Sequence, residues 1–506
     1  MSFVPYAAIW VLLVAAAGVA LLVERRPKLP AAITLATSIL TIALWFLFRP
    51  AAVAPSLTMW GRQWAVDDAA WALTGIALLL VLTMALHLLV HPALPHLARR
   101  SAMSAGIAAA ALPSVWAADD RTRILGLTLF AVVWTLAHWY KRQADDETVD
   151  LSGDAVRFLA AIFPLWAAFA LPGGRALLGL LSAAILMGLW PFGGRRAKGG
   201  PGALARHGFP VVVGAAVLAA ALSSSTLSSV ELAVGTAAGL LSMLVGLGRA
   251  WERPAEMARA LGLALAGLIV VAAVWAGEDA LLAAARMAVF APVLMGLAST
   301  SITQQREQLV LEEERPASRF RLLPQLASLA VVFAAVAGLP LTAGFGALPS
   351  LYESWRGAAG WVLLLVTIVL ISLWLAALYL FARGFDGTPP ADGADRLRGL
   401  ALIPPAIGLI SFDLALSGFG LTTWLAILIP VAAGVLLGQF APGLAASGGL
   451  LREAFALPQP LAATAPRVRA AVRWVADAIA DALSILEGDN GLLWLLGLLL
   501  LLIWIA

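Results

Sequence analysis

Apolar runs of about 20 residues, the length of helix that crosses the hydrocarbon of a bilayer, recur along almost the whole 506-residue chain. They fall near residues 4–23, 31–48, 69–90, 101–118, 124–140, 156–171, 176–191 and 207–222. A second series lies near 229–248, 260–276, 280–301, 322–348, 358–382, 399–417, 421–440 and 491–506. A soluble fold has no room to bury so many. Hydrophobic residues make up 62% of the chain and charged ones 12%, against roughly 45 to 50% apolar in a soluble domain. The expected fold is all-α: a polytopic integral membrane bundle of about 14 to 16 transmembrane helices in the lipid bilayer.

The basic residues test that count, because cytoplasmic loops collect Lys and Arg. With the N-terminus placed outside, alternate loops carry Arg25, Arg26 and Lys28; Arg99 and Arg100; Lys141, Arg142 and Arg157; and Arg195, Arg196, Lys198 and Arg206. The same side then takes Arg249, Arg253 and Arg259; Arg306, Arg315, Arg319 and Arg321; Arg383, Arg396 and Arg398; and Arg452, Arg467, Arg469 and Arg473. The opposite loops hold Arg49, Arg62, Arg121, Arg123, Arg175 and Arg356. This asymmetry predicts both termini outside, in a prokaryotic inner membrane. It also accounts for the net charge of +4 without invoking nucleic acid, for which there is no soluble basic domain. The first apolar run lacks a basic leader and a small-residue cleavage motif, so it reads as a retained span.

Cysteine is absent, which excludes disulfides, iron–sulfur ligation and covalently attached haem c. No cofactor or metal is expected, and no catalytic constellation is present.

The chain divides into a transmembrane domain over 1–440, an inner-surface segment over 441–490 and a terminal anchor over 491–506. Within the second, residues 441–465 are rich in Gly, Ala and Pro and read as a loop. Val468, Val472, Val475, Ile479, Leu483 and Leu486 then recur every three or four residues, with Arg469, Arg473, Asp477 and Asp481 on the other face. That pattern is an amphipathic helix lying along the membrane surface.

Residues 337–352, AGLPLTAGFGALPSLY, break an apolar run with Gly338, Pro340, Gly344 and Gly346. Backbone left unpaired in hydrocarbon costs several kcal/mol per group, so a break at membrane depth belongs inside protein or beside a cavity. A second interruption, LWPFGG at 189–194, contains Pro191. Paired interruptions of this kind point to a transport site.

The stretch resembles the AGxPxxxGFxxK signature of the antiporter-like membrane subunits of respiratory complex I and of the Mrp-type cation/proton antiporters, and similarity extends over most of 124–383. The resemblance implies inverted repeats, each with one broken helix. It also implies partners, the other membrane subunits of a respiratory or antiporter complex, which would carry the redox chemistry.

The family's ionisable positions are substituted. Thr135, after Trp134, stands where a glutamate is expected; Leu186, five residues before Pro191, where a lysine is expected. Arg206 takes the place of a histidine, and Val211 that of a polar residue soon after. In AARMAVFAP at 284–292, Met287 and Ala291 replace histidine and lysine; Leu348 replaces the lysine or glutamate after Gly-Phe. No lysine lies in any expected span, since the three in the chain are Lys28, Lys141 and Lys198. A proton relay needs groups whose pKa burial can move toward neutrality, as lysine's does and arginine's does not. The expectation is a degenerate member that is structural or uses a modified proton path.

Few ionisable groups remain within the expected spans. Arg286 is a permanent charge costing about 2.5 to 3.5 kcal/mol on insertion scales, and so it requires a partner. Asp413 is the carboxylate well inside a later span, whereas Glu231, Glu278, Asp279 and Glu353 lie near helix ends. His138 falls in the 124–140 run, and His87, His91 and His96 sit at one membrane edge, where they read as interfacial rather than metal-binding. Two alternatives follow. One is a stand-alone secondary transporter that uses Arg286 for an anionic substrate; the other is a haem-binding redox subunit held by His87 and His138.

Overall fold

The computed structural model describes residues 3–446, except 25, 27, 51–53, 60, 92–95, 146–150, 171–173, 191, 193–200, 224–226, 312–322, 358–359, 384–398 and 412–419. The expected surface helix and terminal anchor, and with them Pro191 and Asp413, lie outside these residues.

The described chain is a bundle of α-helices. They are α1 (Val4–Leu22), α2 (Leu29–Leu47), α3 (Asp68–Val90), α4 (Leu97–Val115), α5 (Asp120–Asp145), α6 (Leu151–Ala170), α7 (Arg175–Met187) and α8 (Pro201–Ser223). There follow α9 (Ser229–Glu252), α10 (Met257–Ala276), α11 (Glu278–Leu311), α12 (Leu323–Ala337), α13 (Ala343–Ser354), α14 (Gly360–Arg383), α15 (Ile403–Leu409) and α16 (Leu421–Ala446). Among the described residues, 8 helices are long and apolar enough to cross a membrane. The most enclosed are α3, α10 and α11, whose spans are 72%, 78% and 83% buried; α1 and α2, at 28%, form an outer layer.

Helix ends are defined chemically. Asp67 caps α3, its Oδ1 accepting from Ala70 N at 2.7 Å, and Ser228 and Glu231 close a reciprocal capping box on α9. Helix faces meet through small residues, as expected where lipid supplies no hydrophobic force between helices. Gly239 of α9 and Gly267 of α10 lie so close that a Cβ on either would meet the other's carbonyl oxygen.

Three differences from the expected spans have physical reasons. The run at 322–348 is two helices, α12 and α13, separated at 338–342, and Gly344 and Gly346 lie within the second helix. Their role is packing: a Cβ at Gly344 would overlap the Ala335 carbonyl, and one at Gly346 would sit 3.1 Å from Ala283 Cβ. Helix α16 runs on to Ala446, past residue 441 where a loop was expected to begin. Finally, the link between α2 and α3 contains a hairpin, β1 (Ser56–Met59) paired antiparallel with β2 (Arg62–Ala65) around Gly61 at φ +70°. The outer side of β2 is bound to the α4–α5 link, with Ala65 N donating to Trp116 O at 2.8 Å and Ala118 N to Gln63 O at 3.0 Å.

Candidate functional site: a junction of interrupted helices

Two helices end in the same way. At the end of α12, Gly338 N donates to Ala335 O at 3.1 Å and Leu339 N to Ala334 O at 3.0 Å, with Gly338 at φ +72°. At the end of α7, Gly188 N donates to Ile185 O at 3.1 Å and Leu189 N to Ala184 O at 2.9 Å, with Gly188 at φ +69°. This is the paired reverse hydrogen bonding that closes a helix around a left-handed glycine and satisfies its last carbonyls. A proline, which cannot continue a helix, follows Gly338-Leu339 directly as Pro340, and follows Gly188-Leu189 one residue later as Pro191.

After α12 the backbone crosses Leu341, a non-glycine residue at φ +66°, and re-enters a helix at α13. The crossing is tied down. Thr342 pairs with Ile410 in an isolated antiparallel bridge, and Ser411 N donates to Leu341 O at 2.9 Å. The Thr342 hydroxyl donates back to Leu339 O at 2.7 Å. Short helix α15 therefore ends directly beside the α12–α13 break.

Arg286 of α11 enters this junction. Its Nε donates to Gly408 O at 3.1 Å and its Nη2 to Ile410 O at 2.6 Å. One turn further along α11, the fully buried Phe290 ring covers Gly408 so closely that a Cβ there would overlap it. The partner that the charge requires is thus, among the described residues, a pair of main-chain carbonyls. The sequence offers no signal for these acceptors, because a carbonyl belongs to every residue.

The substituted family positions are packed. Leu186, Met287, Ala291 and Leu348 are each no more than 1% exposed, and Val211 is buried as well. Leu348 lies on the break itself, against the face of Gly338. Thr135 donates its hydroxyl to Ala131 O of its own helix at 2.8 Å. The preceding Trp134 packs edge-on to Phe158 with centroids 5.3 Å apart. His138 lies on α5 and Arg206 on α8. Arg286, Leu348, Gly338, Pro340 and Gly344 are therefore gathered around one junction.

His87, His91 and His96 form no such centre among the described residues. The rings of His87 and His91 are 4.5 Å apart, but His91 Nδ1 is engaged with His87 O at 2.9 Å within the helix. His96 opens α4 at φ +57°. Among the described residues no group of three potential metal ligands is present.

A polar network at the start of α5 was not anticipated from the sequence. Buried Arg123 donates to Asp120 Oδ1 at 3.0 Å and to Ala117 O at 2.8 Å, and Asp120 also holds Arg175 of α7 at 2.7 Å. Beside it, burial disfavours ionisation of Asp119. Hydrogen bonds from Thr122 and from the Gln63 and Arg121 main chain outweigh this and hold its carboxyl below the usual range.

No family model and no curated protein matches the chain, but solved structures do. A chain of the Mrp complex from Dietzia sp. DQ12-45-1b aligns with TM-score 0.68 and 14% identity over 98% of this chain and 62% of that one. A chain of the membrane-bound sulfane sulfur reductase, an archaeal respiratory membrane complex, aligns with TM-score 0.59 and 14% identity over 79% and 74%. A chain of respiratory complex I from Thermus thermophilus with bound aureothin aligns with TM-score 0.52 and 17% identity over 84% and 98%. The protein thus spans less than two thirds of the Mrp chain. At such identities the likeness is one of fold: the chain is an integral membrane protein with the architecture of chains from multisubunit membrane complexes.

Proposed function

We propose that the protein is an antiporter-like membrane subunit of an ion-translocating complex related to complex I and the Mrp antiporters. In it the fold serves assembly or a modified proton path. The observation that carries this reading is the alignment with the Mrp complex chain over 98% of the present one. The interior supports the second half of it. Leu186, Val211, Met287, Ala291 and Leu348 cannot hold a proton, and they fill their positions without exposed surface to admit a solvated relay. The two glycine-terminated helices agree with an inverted repeat in which α7 and α12 correspond. Lateral partners suit the thinly covered outer helices, because α1, α2 and α16 are about one third buried or less within this chain.

Membership in a complex is tested by extracting the full chain in mild detergent and identifying what accompanies it by mass spectrometry. Sister membrane subunits together with flavin or iron–sulfur subunits are the expected company. Recovery of the chain alone and monodisperse overturns the reading.

A further inference from the structure

Main-chain carbonyls freed where a helix stops inside a membrane are the ligands membrane proteins use for cations. Two such oxygens converge in this bundle, those of Gly408 near the end of α15 and Ile410 just beyond it. The point on which they converge is occupied by the Arg286 guanidinium, at 3.1 Å from the first and 2.6 Å from the second.

Both oxygens are fixed in place. Ile410 is bridged to Thr342, and its neighbour Ser411 is hydrogen-bonded to Leu341 O at 2.9 Å. Gly408 is clamped under the Phe290 ring, which admits no side chain there. Arginine does not discharge by losing a proton, so its charge within a span has to be met by acceptors that are already aligned. A planar fork of N–H donors suits two such oxygens held side by side.

We propose that Gly408 and Ile410 form a carbonyl site for a small planar N–H cation, and that Arg286 is a tethered cation that fills this site and keeps it closed to free ones. The junction of the interrupted helices then carries a permanent charge supplied by the chain itself. This holds whether or not the protein works within a larger complex.

The test is thermal unfolding of the purified full chain in mild detergent, with methylguanidinium titrated at low millimolar concentration. Tetramethylammonium at matched ionic strength is the control, a cation without N–H donors. Arg286→Ala empties the site. Its Tm is expected to fall by several degrees and to recover in a saturable way with methylguanidinium, as binding to the folded state alone requires. The wild-type protein, its site filled, is expected not to respond. A response of Arg286→Ala to methylguanidinium no larger than its response to tetramethylammonium, or an equal response of the wild type, overturns the proposal. If Arg286→Ala does not accumulate, Arg286→Lys and Arg286→Gln decide, since the first supplies a cation and the second a neutral N–H donor. Accumulation of the Lys variant above the Gln variant supports a cation site, and the Gln variant matching or exceeding it overturns one.

Discussion

Gly338 shows how one residue sets the geometry of the junction. Its φ of +72° is a conformation that side-chain-bearing residues adopt only with strain. A Cβ there would also stand 2.9 Å from Leu348 Cδ1 and 3.3 Å from Leu348 Cβ. Gly338→Ala is therefore expected to destabilise the folded protein by about 1 to 3 kcal/mol, read as a lowered unfolding midpoint in detergent. Gly248 of α9 is the matched control, because it is helical and a Cβ there meets nothing within 4 Å. Gly248→Ala should lose no stability; equal losses at the two positions would mean that the left-handed turn contributes nothing. Fully buried Leu348 packs on the same glycine face.

Helix α15 is short, 7 residues, and owes its place to its neighbours rather than to its length. Isolated helices of this size do not persist. Phe290 on Gly408, Arg286 on the two carbonyls and the Thr342–Ile410 bridge together hold it against α11 and the α12–α13 break. Gly408→Ala is expected to force Phe290 out of its position and to cost about 1 to 3 kcal/mol, the usual penalty for overpacking a core. The double variant Gly408→Ala with Phe290→Leu should recover part of that loss, since the smaller side chain makes room. Additive losses in the double variant would show that the ring and the glycine are not coupled.

This arrangement also shows what the sequence made legible. The helices were readable because apolar runs of membrane length repeat along the chain; residues 338–342, with Gly338 and Pro340, lie between α12 and α13. Arg286 stood out because a charge within an apolar run is costly. Its acceptors were not readable, being carbonyls 122 and 124 residues away in sequence. Nor was the hairpin. β1 alternates polar and apolar residues, Ser-Leu-Thr-Met, for only four positions, all of them exposed, the shortest run that can announce a strand.

Among the described residues one large apolar core links helices from α1 to α16, beside a small cluster of Ala31, Leu88 and Leu97, with polar chemistry concentrated at the links. One set of links is polar: the hairpin, Asp119, and the Arg123–Asp120–Arg175 network lie together near the start of α5. Most of the 33 basic residues fall in the alternate loops expected from the sequence, and by the positive-inside rule the hairpin is predicted on the external face. Because the chain contains no cysteine, a single introduced thiol reports its own side of the membrane without background. Thr58 on β1 and Glu252 at the far end of α9 are both exposed in the chain. Thr58→Cys is expected to react with a membrane-impermeant maleimide on intact cells, and Glu252→Cys only after permeabilisation. The reverse pattern would invert the bundle and place the basic loops outside. Labelling of both on intact cells would put the two ends on the same side, against the expected alternation of spans and basic loops. The sign of the membrane potential makes the orientation matter for the junction: a permanent guanidinium within the span feels about 2.3 kcal/mol per 100 mV for a full traverse. Its carbonyl acceptors have to hold it against that pull in whichever direction the labelling assigns.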